Sequence, residues 1–418
     1  MHKLSQYNYL KIFKEKYVIY NTFTGAIVKL SNHCYDKLIN FESYSNDDED
    51  IRTWIKLGLI LKTDVNEREI INYSRFKDTF KNNNATYRIL TTTACNARCF
   101  YCYEEGYKIS TLDKSVAEAV SNFIIKQSFD KNLVDLNWFG GEPLINYEMI
   151  TFITKKVKSG LKETNVKIKS SLVTNGSLFT DELIHLAKDT WKLDNVQISL
   201  DGVAETHNKR KNYINFENAF EKTIENIRKL LTNNLQVILR LNYDQNNFSD
   251  IEKLSFYIKT KFGNYKNLVC YAYPLYETDC HAEKNLIKKE EINFYVDRAE
   301  KFMKGNGFLN YTQFPPRKKN ACFAVNPNSF VIDPNGDLYK CSMVMKDKSS
   351  SIGSVYEELK LSNVFVKWCD PNLPIECEEC VILPLCQGGC RASRLLNIEQ
   401  NYCAIRKQTL DSSLENLC

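Results

Sequence analysis

From about residue 86 the chain alternates between two hydrophobic rhythms. Short apolar runs at 87–93, 133–139, 166–174, 196–200, 236–243 and 268–275 read as strands. Between them, apolar positions recur with the helical period at 113–128, 147–158, 181–188, 216–231 and 249–261. Thr111, Thr180 and Ser249 stand where N-caps would start three of these helices. Strands that alternate with helices predict an α/β fold built on a parallel sheet. In folds of this kind, reactive groups gather at the C-terminal ends of the strands.

The first 80 residues follow another pattern. Three short strands are predicted at 9–13, 17–21 and 26–30, with Thr24-Gly25 as a turn. Helical stretches follow around 34–41 and 50–57, closed by Gly58-Leu59-Ile60-Leu61. Strands followed by small helices suggest a winged-helix-like unit. The domain reading is therefore 1–80, then 86–305, then a cysteine-rich segment 306–418.

Composition narrows the class. At 418 residues the chain is long enough for two or three domains. Its 56 Lys and Arg against 51 Asp and Glu leave a formal charge of +5, with both signs interspersed, so nucleic acid is not implied. No apolar run reaches the length of a membrane span, and the N-terminus lacks a signal-peptide core. A cytoplasmic protein that does not bind membranes is expected. Fifteen cysteines in such a chain point to metal or redox chemistry rather than disulfides.

Three of them stand in Cys95-Asn96-Ala97-Arg98-Cys99-Phe100-Tyr101-Cys102. Three thiolates on one loop can hold three irons of a [4Fe–4S] cube and leave the fourth open. Zinc would ask for four ligands, and no fourth lies nearby. The Cys-x3-Cys-x2-Cys spacing resembles that of radical S-adenosylmethionine enzymes. The resemblance implies that Cys95, Cys99 and Cys102 hold the catalytic cluster, that its open iron chelates S-adenosylmethionine, and that Tyr101 lies in the cosubstrate site. It also implies a partial (β/α)6 barrel and a flavodoxin- or ferredoxin-type electron donor.

A second set runs Cys322, Gly336, Cys341, then Cys377-x2-Cys380-x5-Cys386-x3-Cys390, then Cys403. Alone, Cys377-x2-Cys380 would suit a zinc ribbon equally well. The whole register resembles the SPASM extension of radical S-adenosylmethionine enzymes. That resemblance assigns Cys377, Cys380, Cys386 and Cys403 to a distal auxiliary [4Fe–4S] cluster, and Cys322, Cys341 and Cys390 to a proximal one, making three clusters in all. The proximal set is one ligand short. Cys280 or Cys369 would complete it; otherwise its iron is open to a substrate thiolate, which metal coordination would keep deprotonated.

Other strand ends carry Gly140-Gly141-Glu142-Pro143, Thr174-Asn175-Gly176 and Ser199-Leu200-Asp201-Gly202. A glycine pair lets backbone approach a ligand closely, and a carboxylate can accept from an ammonium group. These segments resemble the family's cosubstrate motifs, implying contacts from Gly140, Gly141, Glu142, Asn175, Ser199 and Asp201. Arg240 and Asn242 share one strand face, and Arg240 could pair with the methionine carboxylate.

The N-terminal pattern resembles the RiPP recognition element, where a leader peptide adds a strand to a sheet edge. Together the resemblances imply a maturase of a ribosomally made precursor peptide, with sulfur-to-carbon thioether crosslinking favoured. Carbon–carbon crosslinking, sulfatase maturation to formylglycine, and epimerisation using Cys270 or Cys280 remain open, as does a non-catalytic iron–sulfur or zinc scaffold.

Overall fold

The computed structural model describes residues 1–13, 16–275, 286–308, 317–318, 320–396, 407, 410–411 and 413–415. The chain divides into two compact units. One gathers Met1–Asn82, Thr312–Val325 and Asp370–Cys418; the other holds Asn83–Tyr311 and Asn326–Cys369.

The first unit begins with β1 (His2–Leu4), β2 (Asn8–Phe13), β3 (Lys16–Asn21) and β4 (Ile27–Leu30). Helices α1 (Asn32–Ile39) and α2 (Glu49–Leu57) follow, then β5 (Ile60–Lys62), paired antiparallel with β1, and α3 (Glu67–Phe80). Strands β2, β3 and β4 form an antiparallel sheet in that order. The two-residue alternation of β3 decides the packing. Ile19 joins Leu30, Leu38, Phe41, Ile51 and Trp54 under α1 and α2. Val18 and Tyr20 face the other way, against Ile382, Leu385, Cys386, Leu410 and Leu414. Residues 1–82 therefore share a core with the cysteine-rich end of the chain.

Helix α3 carries no predicted pattern because its amphipathy is inverted. It buries Glu67, Ile71, Arg75 and Thr79 at four-residue spacing and exposes Ile70, Tyr73, Phe76 and Phe80.

The second unit is built on β6 (Asn84–Leu90), α4 (Lys114–Ser128), β7 (Leu133–Phe139), α5 (Tyr147–Gly160), β8 (Lys167–Thr174), α6 (Asp181–His185), β9 (Asn195–Leu200), α7 (Ala204–Lys211), α8 (Ala219–Thr232), β10 (Gln236–Tyr243), α9 (Phe248–Phe262), β11 (Leu268–Pro274) and α10 (Ile292–Gly305). Then come β12 (Ser329–Ile332), β13 (Asp337–Tyr339), β14 (Gly353–Ser354) and α11 (Asn363–Cys369). The sheet has nine strands in the order β11-β10-β9-β8-β7-β6-β12-β13-β14, parallel from β11 through β12. Because β6 to β11 lie in chain order, right-handed crossovers place all their helices on one face.

Burial follows from this one-sided covering. Val134, Leu136 and Trp138 of β7 and Val196, Ile198 and Leu200 of β9 are fully buried. The alternate residues, such as Asp135, Asn137, Gln197 and Ser199, are polar and half-buried. A parallel sheet covered on both faces would read as continuous apolar runs; here the uncovered face is left for polar chemistry.

Observed strands fall close to the predicted windows, except that β6 ends at Leu90. Thr92 and Thr93 instead pair with Thr111 and Ser110, opening the sheet into the cysteine loop. Asp113 caps α4 in place of Thr111, and Asn247 occupies the N-cap position of α9 in place of Ser249. The first unit closes with the short helices α12 (Leu383–Cys386) and α13 (Arg391–Leu395). Among the described residues, no helix is long and apolar enough to cross a membrane.

Candidate active site

The loop after β6 is pinned at both flanks. Arg98 N donates to the carbonyls of Lys211 and Asn212, Ile214 N donates to Asn96 O, and Ala97 bridges Tyr213. Asn175 Nδ2 donates to Asn96 Oδ1 at 2.7 Å, tying the loop to the end of β8. Held this way, Cys95, Cys99 and Cys102 line one cavity of about 450 Å³ together with Gly140, Gly141, Asn175, Ser199 and Lys211. Burial pushes the Cys95 thiol up to about 12 and raises Cys99 as well. Iron would reverse that preference, because a coordinated thiol is held deprotonated. A single ion would draw its ligands around one point, and among the described residues no three His, Cys, Asp or Glu are gathered so. Three thiols spread along a cavity wall, with open space beside them, suit the wider footprint of a cube and a cosubstrate.

The glycine pair is required by close approach. Gly140 has φ +130°, and a Cβ there would lie 2.3 Å from Thr92 O; one on Gly141 would lie 2.4 Å from Ala94 O. Glu142 sits behind this wall rather than on it, with no exposed surface. Its Oε1 accepts from Thr174 Oγ1 at 2.7 Å and Leu144 N at 3.1 Å, and its Oε2 accepts from Asn175 N at 2.8 Å. Burial raises its pKa despite these donors. The carboxylate that the resemblance assigned to an ammonium group therefore joins the ends of β7 and β8.

Asp201 and Tyr101 also lie behind the cavity. Tyr101 Oη donates to Asp201 Oδ2 at 2.5 Å, and Asn242 Nδ2 donates to Asp201 Oδ1 at 3.2 Å. Asp201 N donates to His207 Nδ1 at 3.3 Å. Burial alone would raise Asp201, but Lys211, His207 and Tyr101 outweigh it and hold the carboxyl below its usual range. Arg240 stands apart from the cavity lining, its guanidinium stacked 3.8 Å from the centre of the Tyr273 ring.

Sequence reasoning missed Lys211. It ends α7, is fully buried, and places Nζ 2.6 Å from Ser199 Oγ and 3.6 Å from Asp201 Oδ1. Burial would lower its pKa; Asp201, Cys99 and Cys95 prevail and raise it. A charged ammonium thus borders the cavity beside Ser199. The only sequence signal was its place at the end of a polar stretch after Asp201-Gly202.

Of the second cysteine set, Cys322, Cys377, Cys380, Cys386 and Cys390 belong to the first unit and Cys341 to the second. Cys322 and Cys390 are close enough to interact electrostatically. Cys403 and Cys280 lie outside the described residues. Cys369 is buried on α11, and Cys270 on β11 points away from the face that carries the half-buried Tyr271 and the exposed Tyr273.

A one-sided α/β sheet thus carries three cysteines after its first parallel strand, all lining one cavity. Residues 89–258 match the Radical SAM superfamily, so the chain is an enzyme with a radical SAM domain, which implies S-adenosylmethionine and a [4Fe–4S] cluster. It is 24% identical over 357 residues to a cysteine-type anaerobic sulfatase-maturating enzyme of Clostridium novyi, covering 77% of this chain and 93% of that one. Its fold is similar to native anSMEcpe with bound AdoMet and Cp18Cys peptide (TM-score 0.60, 22% identity, 79% of this chain and 97% of that one). It is also similar to Streptococcus suis SuiB bound to precursor peptide SuiA (TM-score 0.50, 14% identity, 96% and 98%).

Proposed function

We propose that this protein is a radical SAM maturase of a ribosomally made precursor peptide, forming sulfur-to-carbon thioether crosslinks from cysteine residues. The observation that carries the reading is the shared cavity: three cysteines, a glycine pair, Asn175, Ser199 and Lys211 open into one space at the strand ends. Peptide substrates are supported by two similar folds, one bound to Cp18Cys peptide and one to precursor peptide SuiA. When bound, the cluster and S-adenosylmethionine supply a deoxyadenosyl radical that takes a hydrogen atom from carbon, and auxiliary clusters supply an acceptor for the second electron.

The chain's own groups have defined parts. Gly140 and Gly141 bring backbone to the cosubstrate, while Asn175 and Ser199 offer polar contacts to it. Lys211 would pair with its carboxylate, and the buried Asp201 holds that lysine in place. The SPASM reading, with Cys377, Cys380, Cys386 and Cys403 on a distal cluster and Cys322, Cys341 and Cys390 on a proximal one, brings the count to three clusters. In a partial barrel with an attached recognition element, the exposed edges of the β2-β3-β4 sheet offer a leader peptide a place to add a strand. Epimerisation loses one of its candidate thiols, because Cys270 is 1% exposed and faces the helices.

The test is incubation of reconstituted enzyme with S-adenosylmethionine, a reductant and the product of a short cysteine-containing reading frame beside the gene. Thioether formation removes two hydrogens per crosslink and consumes a thiol that iodoacetamide would otherwise label. Carbon–carbon bonding removes two hydrogens and leaves the thiol labelled. Epimerisation leaves mass unchanged, and formylglycine replaces the cysteine sulfur by oxygen with the loss of two hydrogens. Cys369→Ala and Cys280→Ala are expected to keep their proximal iron if a substrate thiolate completes that cluster.

A further inference from the structure

The turn that leaves the cysteine loop carries a carboxylate with one oxygen unfilled. Tyr107 N donates to Glu104 O at 3.0 Å, closing a turn over Glu105 and Gly106 in which Gly106 has φ +77°. Glycine at the third position of such a turn supplies the left-handed backbone that other residues avoid. Closure brings positions 104 and 107 side by side, and both residues line the cavity that holds Cys95, Cys99 and Cys102. Tyr107 Oη donates to Ser342 O at 3.1 Å, which anchors the turn.

Glu104 is 8% exposed. Its Oε1 accepts from Tyr103 Oη at 2.8 Å, while its Oε2 is buried and accepts from no group among the described residues. Lys346 lies 5.2 Å over the Tyr107 ring, yet its Nζ donates to Glu105 O at 2.7 Å and not to Glu104. Glu142 behaves differently, since donors from Thr174, Leu144 and Asn175 fill both of its oxygens. Holding a carboxylate out of water is costly unless a donor or an opposite charge meets it. For Glu104 that partner has to arrive with a ligand.

The surroundings say which kind of ligand. Phe139 and Tyr107 line the same cavity, and the Tyr103 ring lies 6.1 Å from the first and 6.4 Å from the second. Rings beside a carboxylate suit a cation on an apolar stem, because the stem packs on the rings while the charge reaches the oxygen. With Lys211, Asn175 and Ser199 assigned to the cosubstrate, Glu104 is left for the substrate. We propose that Glu104 is a specificity-determining residue that pairs with a lysine or arginine side chain of the peptide, and so selects peptides with a basic residue close to the one modified. The proposal rests on the reading of the protein as a peptide maturase.

The experiment measures peptide binding to full-length reconstituted enzyme by fluorescence anisotropy, with S-adenosylmethionine present. The peptides come from the product of the short cysteine-containing reading frame beside the gene, with lysine, norleucine or glutamate placed in turn at each position flanking a cysteine. At one position lysine is expected to bind about tenfold tighter than norleucine, and glutamate more weakly than either. Glu104→Gln should erase that preference at unchanged iron content, and Glu104→Lys should turn it toward glutamate. If Glu104→Lys fails to load iron, Glu104→Gln decides the matter alone. Equal weakening of all three peptides in Glu104→Gln, with the lysine preference intact, would mean a structural role and overturn the proposal. Weaker S-adenosylmethionine binding without peptide, again with that preference intact, would give the carboxylate to the cosubstrate and overturn it too. Wild-type enzyme that binds neither these peptides nor the unaltered precursor would overturn the maturase reading and this subsite with it, a result distinct from a preference that Glu104→Gln leaves unmoved.

Discussion

Lys211 Nζ donates to Ser199 Oγ across 2.6 Å, joining the end of α7 to the end of β9 at the edge of the cavity. A hydrogen bond to a charged group is worth roughly 1.5–3 kcal/mol. Lys211→Met is therefore expected to weaken S-adenosylmethionine binding about tenfold or more while iron content stays at the wild-type level. Lys211→Arg should recover part of the affinity. Equilibrium binding of the cosubstrate to the reconstituted enzyme checks both.

His207 gives a pH signature. Burial first, then Lys211, lowers its pKa from 6.5 to about 3. Between those values the unfolded chain takes up a proton that the folded imidazole refuses, so stability falls as pH drops through that window. The slope for one proton is ~1.4 kcal/mol per pH unit. His207→Gln should flatten it, as read from denaturant midpoints between pH 6.5 and pH 4.

Replacing Cys95, Cys99 and Cys102 together by alanine should remove about a third of roughly 12 irons and abolish 5′-deoxyadenosine formation. Iron analysis and chromatography of the products report the two effects separately. Continued cleavage of S-adenosylmethionine by the triple variant would refute the assignment.

Glu142→Gln places an amide NH2 against groups that are themselves donors: Thr174 Oγ1 and Leu144 N on one oxygen, Asn175 N on the other. Leaving a buried donor unsatisfied costs about 1–3 kcal/mol. A lower Tm and weaker cosubstrate binding are expected together, because the carboxylate sets the positions of Asn175 and the glycine pair. Weaker binding with an unchanged Tm would mean that the carboxylate meets the ligand directly.

Removing residues 1–80 should do more than weaken peptide binding. Val18 and Tyr20 pack on Ile382, Leu385 and Cys386, and Arg75 holds the turn after Cys386. The truncated protein is expected to lose auxiliary iron as well as affinity for the leader. Recognition by the β2-β3-β4 sheet is therefore better tested in the full chain, with proline substitutions at Lys11 or Val28 on its outer strands and calorimetric titration of the leader.

Much of the parallel sheet was legible because each strand alternates apolar and polar residues, as Val134, Leu136 and Trp138 do against Asp135 and Asn137. The cysteine loop, the glycine pair, Asn175 and Ser199 were legible as motifs. Lys211 was not, because α7 reads Ala-Glu-Thr-His-Asn-Lys-Arg-Lys and buries only His207 and Lys211. Helix α3 escaped for the opposite reason: its apolar residues face outward while Glu67, Arg75 and Thr79 face in. Glu142 and Arg240 were found by pattern, yet their side chains take partners within the protein, Thr174 and Tyr273, that no spacing reveals.

The partnership of Val18 and Tyr20 with Leu410 and Leu414 also sets an order of assembly. Residues 1–82 are made before those partners, so one side of their sheet stays uncovered until residues 382–414 emerge. The second unit can close around its own sheet meanwhile, while the opening segment waits with Val18 and Tyr20 bare. Such a waiting apolar surface is exposed to aggregation during synthesis. Expression yield should therefore fall when slow codons between residue 82 and residue 414 lengthen that wait, and slow codons before residue 18 should cost less soluble protein.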